Sequence, residues 1–151
     1  MWKYSGTVLS ITPNTSNDNW TLDADSAGVG KLIETWWGGQ ATSSTAMATR
    51  VARASGGVTP VAGNVAEHGP ANQPANQIDF VASWSGSQTT LNAADIMALS
   101  WNCHGGVVRW LFDPEDEIWM VTGETLDLIA CRNSVGTGTS TYGAIWSEIG
   151  V

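Results

Sequence analysis

No stretch of this chain repeats an apolar residue every three or four positions over the roughly 10–12 residues that a helix needs. Short β-branched and aromatic runs recur instead, punctuated by Gly, Asn, Asp and Pro. The runs predict strands at Lys3–Ile11, Lys31–Trp37, Ala46–Ala54, Ile78–Trp84 and Ile96–Cys103. Further strands are predicted at Val107–Phe112, Glu117–Val121, Thr125–Arg132 and Thr139–Glu148. About nine short strands with punctuated turns read as an all-β fold, an antiparallel sandwich or jelly roll. A short helical turn is expected around Ala93-Ala94-Asp95. The 151 residues make one domain, large enough to bury a core without a disulfide or metal staple.

Alternation along the strands separates two kinds. Ile78, Phe80, Ala82 and Trp84 share one face of their strand, as expected when one side is buried. In Val107–Phe112 both faces are apolar: Val107 and Leu111 flank Arg109 on one, and Val108, Trp110 and Phe112 line the other. Ile118-Trp119-Met120-Val121 is also apolar on both. A small sandwich buries one face per strand, so these two strands are expected to meet a partner subunit. The irregular stretch at Gly56–Gln77, with its near-repeat Pro70-Ala71-Asn72-Gln73-Pro74-Ala75-Asn76-Gln77, reads as one long loop. Its two readings are an excursion over a neighbour and a mobile loop without a partner.

Charge narrows the function. Only 13% of residues are charged, about half the usual share, and the net charge is −8. Phosphate backbones and anionic membrane surfaces are bound by clustered Lys and Arg, so neither is an expected partner. No apolar run approaches the roughly 20 residues of a membrane span, and no signal peptide is recognisable. Cys103 and Cys131 are expected as buried free thiols on neighbouring strands. The sequons at Asn14-Thr15-Ser16 and Asn19-Trp20-Thr21 are read as chance matches.

Candidate chemistry is sparse. Asp23, Asp25, Gly28 and Glu34 match positions of a calcium-binding EF-hand loop, but Ala27 replaces a ligand and the flanks are not helical. An acidic turn leading into a strand is the expected reading. Asp113-Pro114-Glu115-Asp116-Glu117 crowds four carboxylates into one segment, where a glycosidase would set two across a cleft. It is read as a solvated hairpin loop. His104 follows Cys103, and adjacent strand residues point to opposite faces, so they cannot act as a pair. No nucleophile-elbow, Walker, zinc-protease or dinucleotide motif occurs. No catalytic residue, cofactor or metal is expected. Tryptophan has the stronger claim, since nine of the thirteen aromatics are Trp, the residue favoured at interface hot spots and on sugar platforms.

Two segments and the closing strand carry a family likeness. They are the run from Ala41 to Ala54, Gly105-Gly106-Val107-Val108-Arg109-Trp110-Leu111 with Gly123-Glu124-Thr125-Leu126, and Ala144-Ile145-Trp146-Ser147-Glu148. The chain resembles the small cement or decoration proteins of tailed bacteriophages, which sit on the head shell, often as trimers with jelly-roll-like folds. It departs from them in its scarcity of basic residues and in Trp2 and Trp36-Trp37. The resemblance implies a non-enzymatic virion protein made in the host cytoplasm, a homotrimer clamping major capsid subunits from outside. The family has no invariant active residue, so the expected interface is a physical reading: Trp36, Trp37, Arg50, Arg53, Arg109, Trp110, Trp119 and Trp146. Arg50 and Arg53 should face opposite ways, and Arg109 should be half-buried beside Asp113 or Glu117. The alternative is a carbohydrate-binding jelly roll that stacks sugars on Trp36, Trp37 or Trp84.

Overall fold

The computed structural model describes residues 1–24, 28–122 and 127–149. Its strands are β1 (Trp2–Ile11), β2 (Asp18–Asp23), β3 (Val29–Gly39), β4 (Ala46–Ser55), β5 (Pro60–Ala62) and β6 (Asn64–Glu67). They continue with β7 (Asp79–Trp84), β8 (Thr90–Asn102), β9 (Val107–Leu111), β10 (Ile118–Val121), β11 (Leu128–Val135) and β12 (Ser140–Glu148). No helix occurs among the described residues. Two antiparallel sheets pack as a β-sandwich. Sheet A runs β10-β3-β12-β1-β6 with β9 also on β3, and sheet B runs β5-β7-β2-β11-β4-β8.

Each of the nine expected strands has a counterpart among the described residues, although 125–126 of the expected Thr125–Arg132 lie outside them, and three more strands join. Of those three, β2 fills a central place in sheet B, and β5 and β6 occupy the stretch read as loop. Within that stretch, β5 pairs with β7 of sheet B and β6 pairs with β1 of sheet A. The chain thus crosses from one sheet to the other at Gly63, whose N–H donates to the Phe80 carbonyl at 2.8 Å. The remainder lies on its own body, not free. Tyr4 Oη donates to the Pro74 carbonyl at 2.7 Å, and the buried Glu148 carboxylate accepts the Gln77 and Ile78 N–H groups at 2.8 and 2.9 Å.

Aromatic rings bridge the two sheets. Tyr4 and Trp146 of sheet A stack at 5.9 Å, Trp146 on Phe80 of sheet B at 6.0 Å, and Phe80 on Trp20 at 6.3 Å. Each such pair contributes about 0.5–1.5 kcal/mol beyond its burial. Gly6 makes room for the stack: a Cβ there would lie 2.3 Å from the Phe80 ring. A second, smaller cluster of Ala54, Val81, Trp84, Leu128 and Ala130 lies on the outer face of sheet B, where Leu91 packs against it.

β11 is apolar on both faces because Ile129 and Cys131 enter the core while Leu128 and Ala130 join this outer cluster. β8 covers it through a bulge: Ala52 pairs with Asp95 but Ala54 with Leu91, so the three residues Asn92–Ala94 stand opposite the single Arg53. The expected helical turn at Ala93-Ala94-Asp95 is this bulge, a strand irregularity. Arg50 and Arg132 stand opposite one another on β4 and β11. Asp95 and the Asn92 carbonyl hold Arg50, while Asp18 and the Thr89 carbonyl hold Arg132. Both cations therefore fasten the 89–95 segment onto β4 and β11.

The strands β9 and β10 do not form the expected hairpin. Both pair antiparallel with β3, β9 with Glu34–Gly38 and β10 with Val29–Leu32, so they run on in one direction along the same edge. Asp113-Pro114-Glu115-Asp116-Glu117 is an excursion between two halves of one edge strand, and its turn is closed by the Asp116 N–H on the Asp113 carbonyl at 2.8 Å. Both cysteines are buried free thiols. Cys131 lies on β11 and Cys103 follows β8, strands separated by β4, so they are not neighbours.

Candidate docking surface

Cross-strand partners project to the same side of a sheet, so the register maps the outer face of sheet A directly. One row runs Arg109–Trp36–Gly143–Thr7–Asn64, the next Leu111–Glu34–Ile145–Ser5–Ala66, and a third Trp119–Lys31–Ser147–Lys3. Val107 and Val121 sit on the same face, opposite Gly38 and Val29. The edge end of these rows is apolar and open to solvent: Val107 is 77% exposed, Leu111 64% and Trp119 45%. Scattered exposed apolar residues are ordinary, but a contiguous array on one sheet face is a feature of interaction sites.

Two ion pairs punctuate the patch. Arg109 forks onto Glu34, with Nη2 donating to Oε2 at 2.9 Å. The Glu34 side chain is nearly buried while that of Arg109 is largely exposed, and the carboxylate holds the guanidinium above its ordinary value by hydrogen bonding. Lys31 Nζ donates to Glu117 at 2.9 Å and lies 4.5 Å from the Trp119 ring, a cation–π contact that fixes the indole. Trp36 lies flat against the sheet: a Cβ on Gly143 would come within 2.2 Å of its ring. Only glycine lets an indole cover the strand so closely.

Among the eight residues expected at an interface, the structure separates three groups. Arg109, Trp110 and Trp119 are exposed along the β9–β10 edge, and Trp36 is half-buried on the face beside them. Trp37 and Trp146 are fully buried, because their alternation places them in the sandwich core, and they cannot meet a partner. Arg50 and Arg53 do face opposite ways, but both are engaged within the chain. Arg50 pairs with Asp95, and Arg53 donates to the Trp119 carbonyl while burial pushes its guanidinium below the ordinary value.

Other expectations also change. Arg109 is exposed and its partner is Glu34, because β9 lies beside β3. Glu117 serves Lys31, and the Asp113 carboxylate accepts the Glu115 N–H at 3.1 Å. Of the EF-hand candidates, Asp25 and Ala27 lie outside the described residues, as does 123–126 of the family likeness. Glu34 is committed to Arg109, and no metal-binding cluster occurs among the described residues. The sugar platform loses Trp37 to the core and Trp84 to the outer cluster, where its indole donates to Thr21 Oγ1 at 3.1 Å. The Asn19 sequon is occluded, since its buried amide donates to Asn133 at 2.9 Å.

Sequence reading overlooked the wedge beside the exposed edge. From the turn at 103–106, β8 enters sheet B and β9 enters sheet A. Between them opens a groove of about 470 Å³ lined by Ile96, Trp110, Leu111, Phe112, Asp113, Asp116 and Ile118. Its signal was the two-faced apolar pattern of Val107–Phe112, whose second face forms this wall. No protein-family model matches the chain, and no curated protein or solved structure does so either.

Proposed function

We propose that this chain is a structural virion protein, a decoration protein that docks on an assembled phage head through the outer face of sheet A. The observation that carries this reading is the row of exposed Val107, Leu111, Trp119 and Val121 on one face of the β9–β10 edge, interrupted by Arg109. Interface cores are depleted of free charge and enriched in Trp, Met and Arg. Here the two charged pairs inside the patch are already neutralised by Glu34 and Glu117. A trimer matches the local threefold positions of a shell, and closed cyclic symmetry is the usual solution for a homotypic contact. The mechanism is linkage: a protein that binds only assembled subunits stabilises the assembly by mass action.

The test compares particles assembled with and without this chain. Depleted particles should rupture at a lower temperature, and equal rupture temperatures overturn the cementing role. A Leu111→Lys, Trp119→Lys variant should keep its own melting temperature and fail to load onto particles. Normal loading of that variant moves the docking surface elsewhere.

A further inference from the structure

We infer that the wedge between β8 and β9 is a second binding site, which takes an extended segment of a partner polypeptide bearing alternating apolar and basic side chains. The site shares Leu111 with the sheet face assigned to docking but is otherwise lined by other residues, and its argument stands whether or not the chain occupies a shell. Three observations carry it. The walls are apolar, with Trp110 43% exposed and Ile96 and Ile118 half-buried, so the groove offers unfilled hydrophobic surface. Among the described residues one wall, β9, pairs with β3 and the other, β8, with β4, so each presents a strand edge without a further strand on it. Such edges recruit extended chains through main-chain hydrogen bonds, and side-chain pockets then select the sequence.

Charge selects the occupant. Asp113 and Asp116 line the groove, and the exposed Glu115 stands between them on the same excursion. Three carboxylates are thus gathered at one rim, in a chain of net charge −8. The neighbouring cations do not cancel them: Lys31 is bound to Glu117, Arg109 to Glu34, and Arg53, which donates to the Trp119 carbonyl, sets one positive charge against the three. Two copies of the same acidic rim would repel, so a second copy of this chain is the poorer occupant and a basic segment the better one. With side chains alternating along a strand, one set enters the groove toward Trp110 while the other meets the acidic rim.

The experiment uses the intact chain and a capped synthetic octapeptide of alternating Lys and Val. Glu–Val and Lys–Ser peptides of the same length serve as controls for charge and for apolar content. Calorimetry should show the Lys–Val peptide binding at least about tenfold more tightly than either control, and weakening as salt rises. Hydrogen exchange should slow at the β9 amides when it binds. Asp113→Asn, Glu115→Gln and Asp116→Asn combined, or Trp110→Ala alone, should each cost about tenfold or more in affinity with the melting temperature held. Equal binding of Lys–Val and Glu–Val peptides, or unchanged affinity in the triple variant, overturns the proposal. So does sedimentation of the free chain as a dimer with its β9 amides protected, which would place a second copy in the wedge.

Discussion

The phenol of Tyr142, on β12 of sheet A, donates at 3.0 Å to the side-chain carbonyl of Asn133, on β11 of sheet B. The same oxygen accepts the Asn19 amide at 2.9 Å and the Thr49 hydroxyl at 3.0 Å. Trp101 Nε1 then donates to Thr49 Oγ1 at 2.9 Å. One asparagine oxygen thereby gathers donors from both sheets in the buried interior, where each unsatisfied group would be costly. Replacing Asn133 by Leu strands three donors and should cost about 3–5 kcal/mol. Tyr142→Phe leaves the oxygen with two donors and should cost about 1 kcal/mol. Urea unfolding of both variants checks the ratio, and equal losses would mean that the amide does not organise the network.

At alkaline pH the tyrosines should ionise only as the protein unfolds. Tyr4 and Tyr142 are the only two tyrosines and both are buried, which pushes both phenols above their ordinary value, chiefly by desolvation. The unfolded chain ionises near pH 10, so the stability these phenols contribute is intact below that value and erodes as pH climbs past it. Tyrosinate absorbance should therefore rise together with loss of the folded signal. An early rise with the fold intact would contradict the burial.

At Gly6, a methyl group would enter the space of the Phe80 ring. Gly6→Ala should destabilise by about 1–3 kcal/mol through overpacking. Adding Phe80→Leu frees that space, so the double variant should lose less than the sum of the two single losses. Additive losses in thermal unfolding would show that the two positions do not meet.

The Arg109–Glu34 pair is lopsided, with the carboxylate covered and the guanidinium in solvent. Arg109→Ala leaves a buried carboxylate without its partner, whereas Glu34→Gln leaves a cation that water already solvates. Arg109→Ala should be the more destabilising of the two in denaturant titrations. The reverse order would mean that the pair is held by the arginine's packing rather than by its charge.

The strands that sequence revealed were those with a run of β-branched or aromatic residues between turn formers. What stayed hidden depends on partners distant in sequence. Asp18-Asn19-Trp20-Thr21-Leu22-Asp23 carries polar residues at both ends and is not among the expected strands, yet Arg132 and Asn133 from β11 satisfy Asp18 and Asn19. Pro60 argues against a strand, but β5 is an edge, where a missing N–H is tolerated. The exposed edge was legible because Val107–Leu111 and Ile118–Val121 are apolar on both sides. Trp37 and Trp146 were misplaced because composition cannot tell an indole in the core from one in an interface. Register could, once β12 was known to lie between β3 and β1.

The excursion at Asp113–Glu117 interrupts an edge strand whose two halves are each held independently by β3. Apart from Glu117, which holds Lys31, its length and composition can therefore change without shifting the register on either side. The acidic rim of the wedge is a replaceable cassette on a fixed frame. Substitutions there can retune which segment is bound while the sandwich stays as it is, so this is a place where related chains can diverge in partner at little cost in folding.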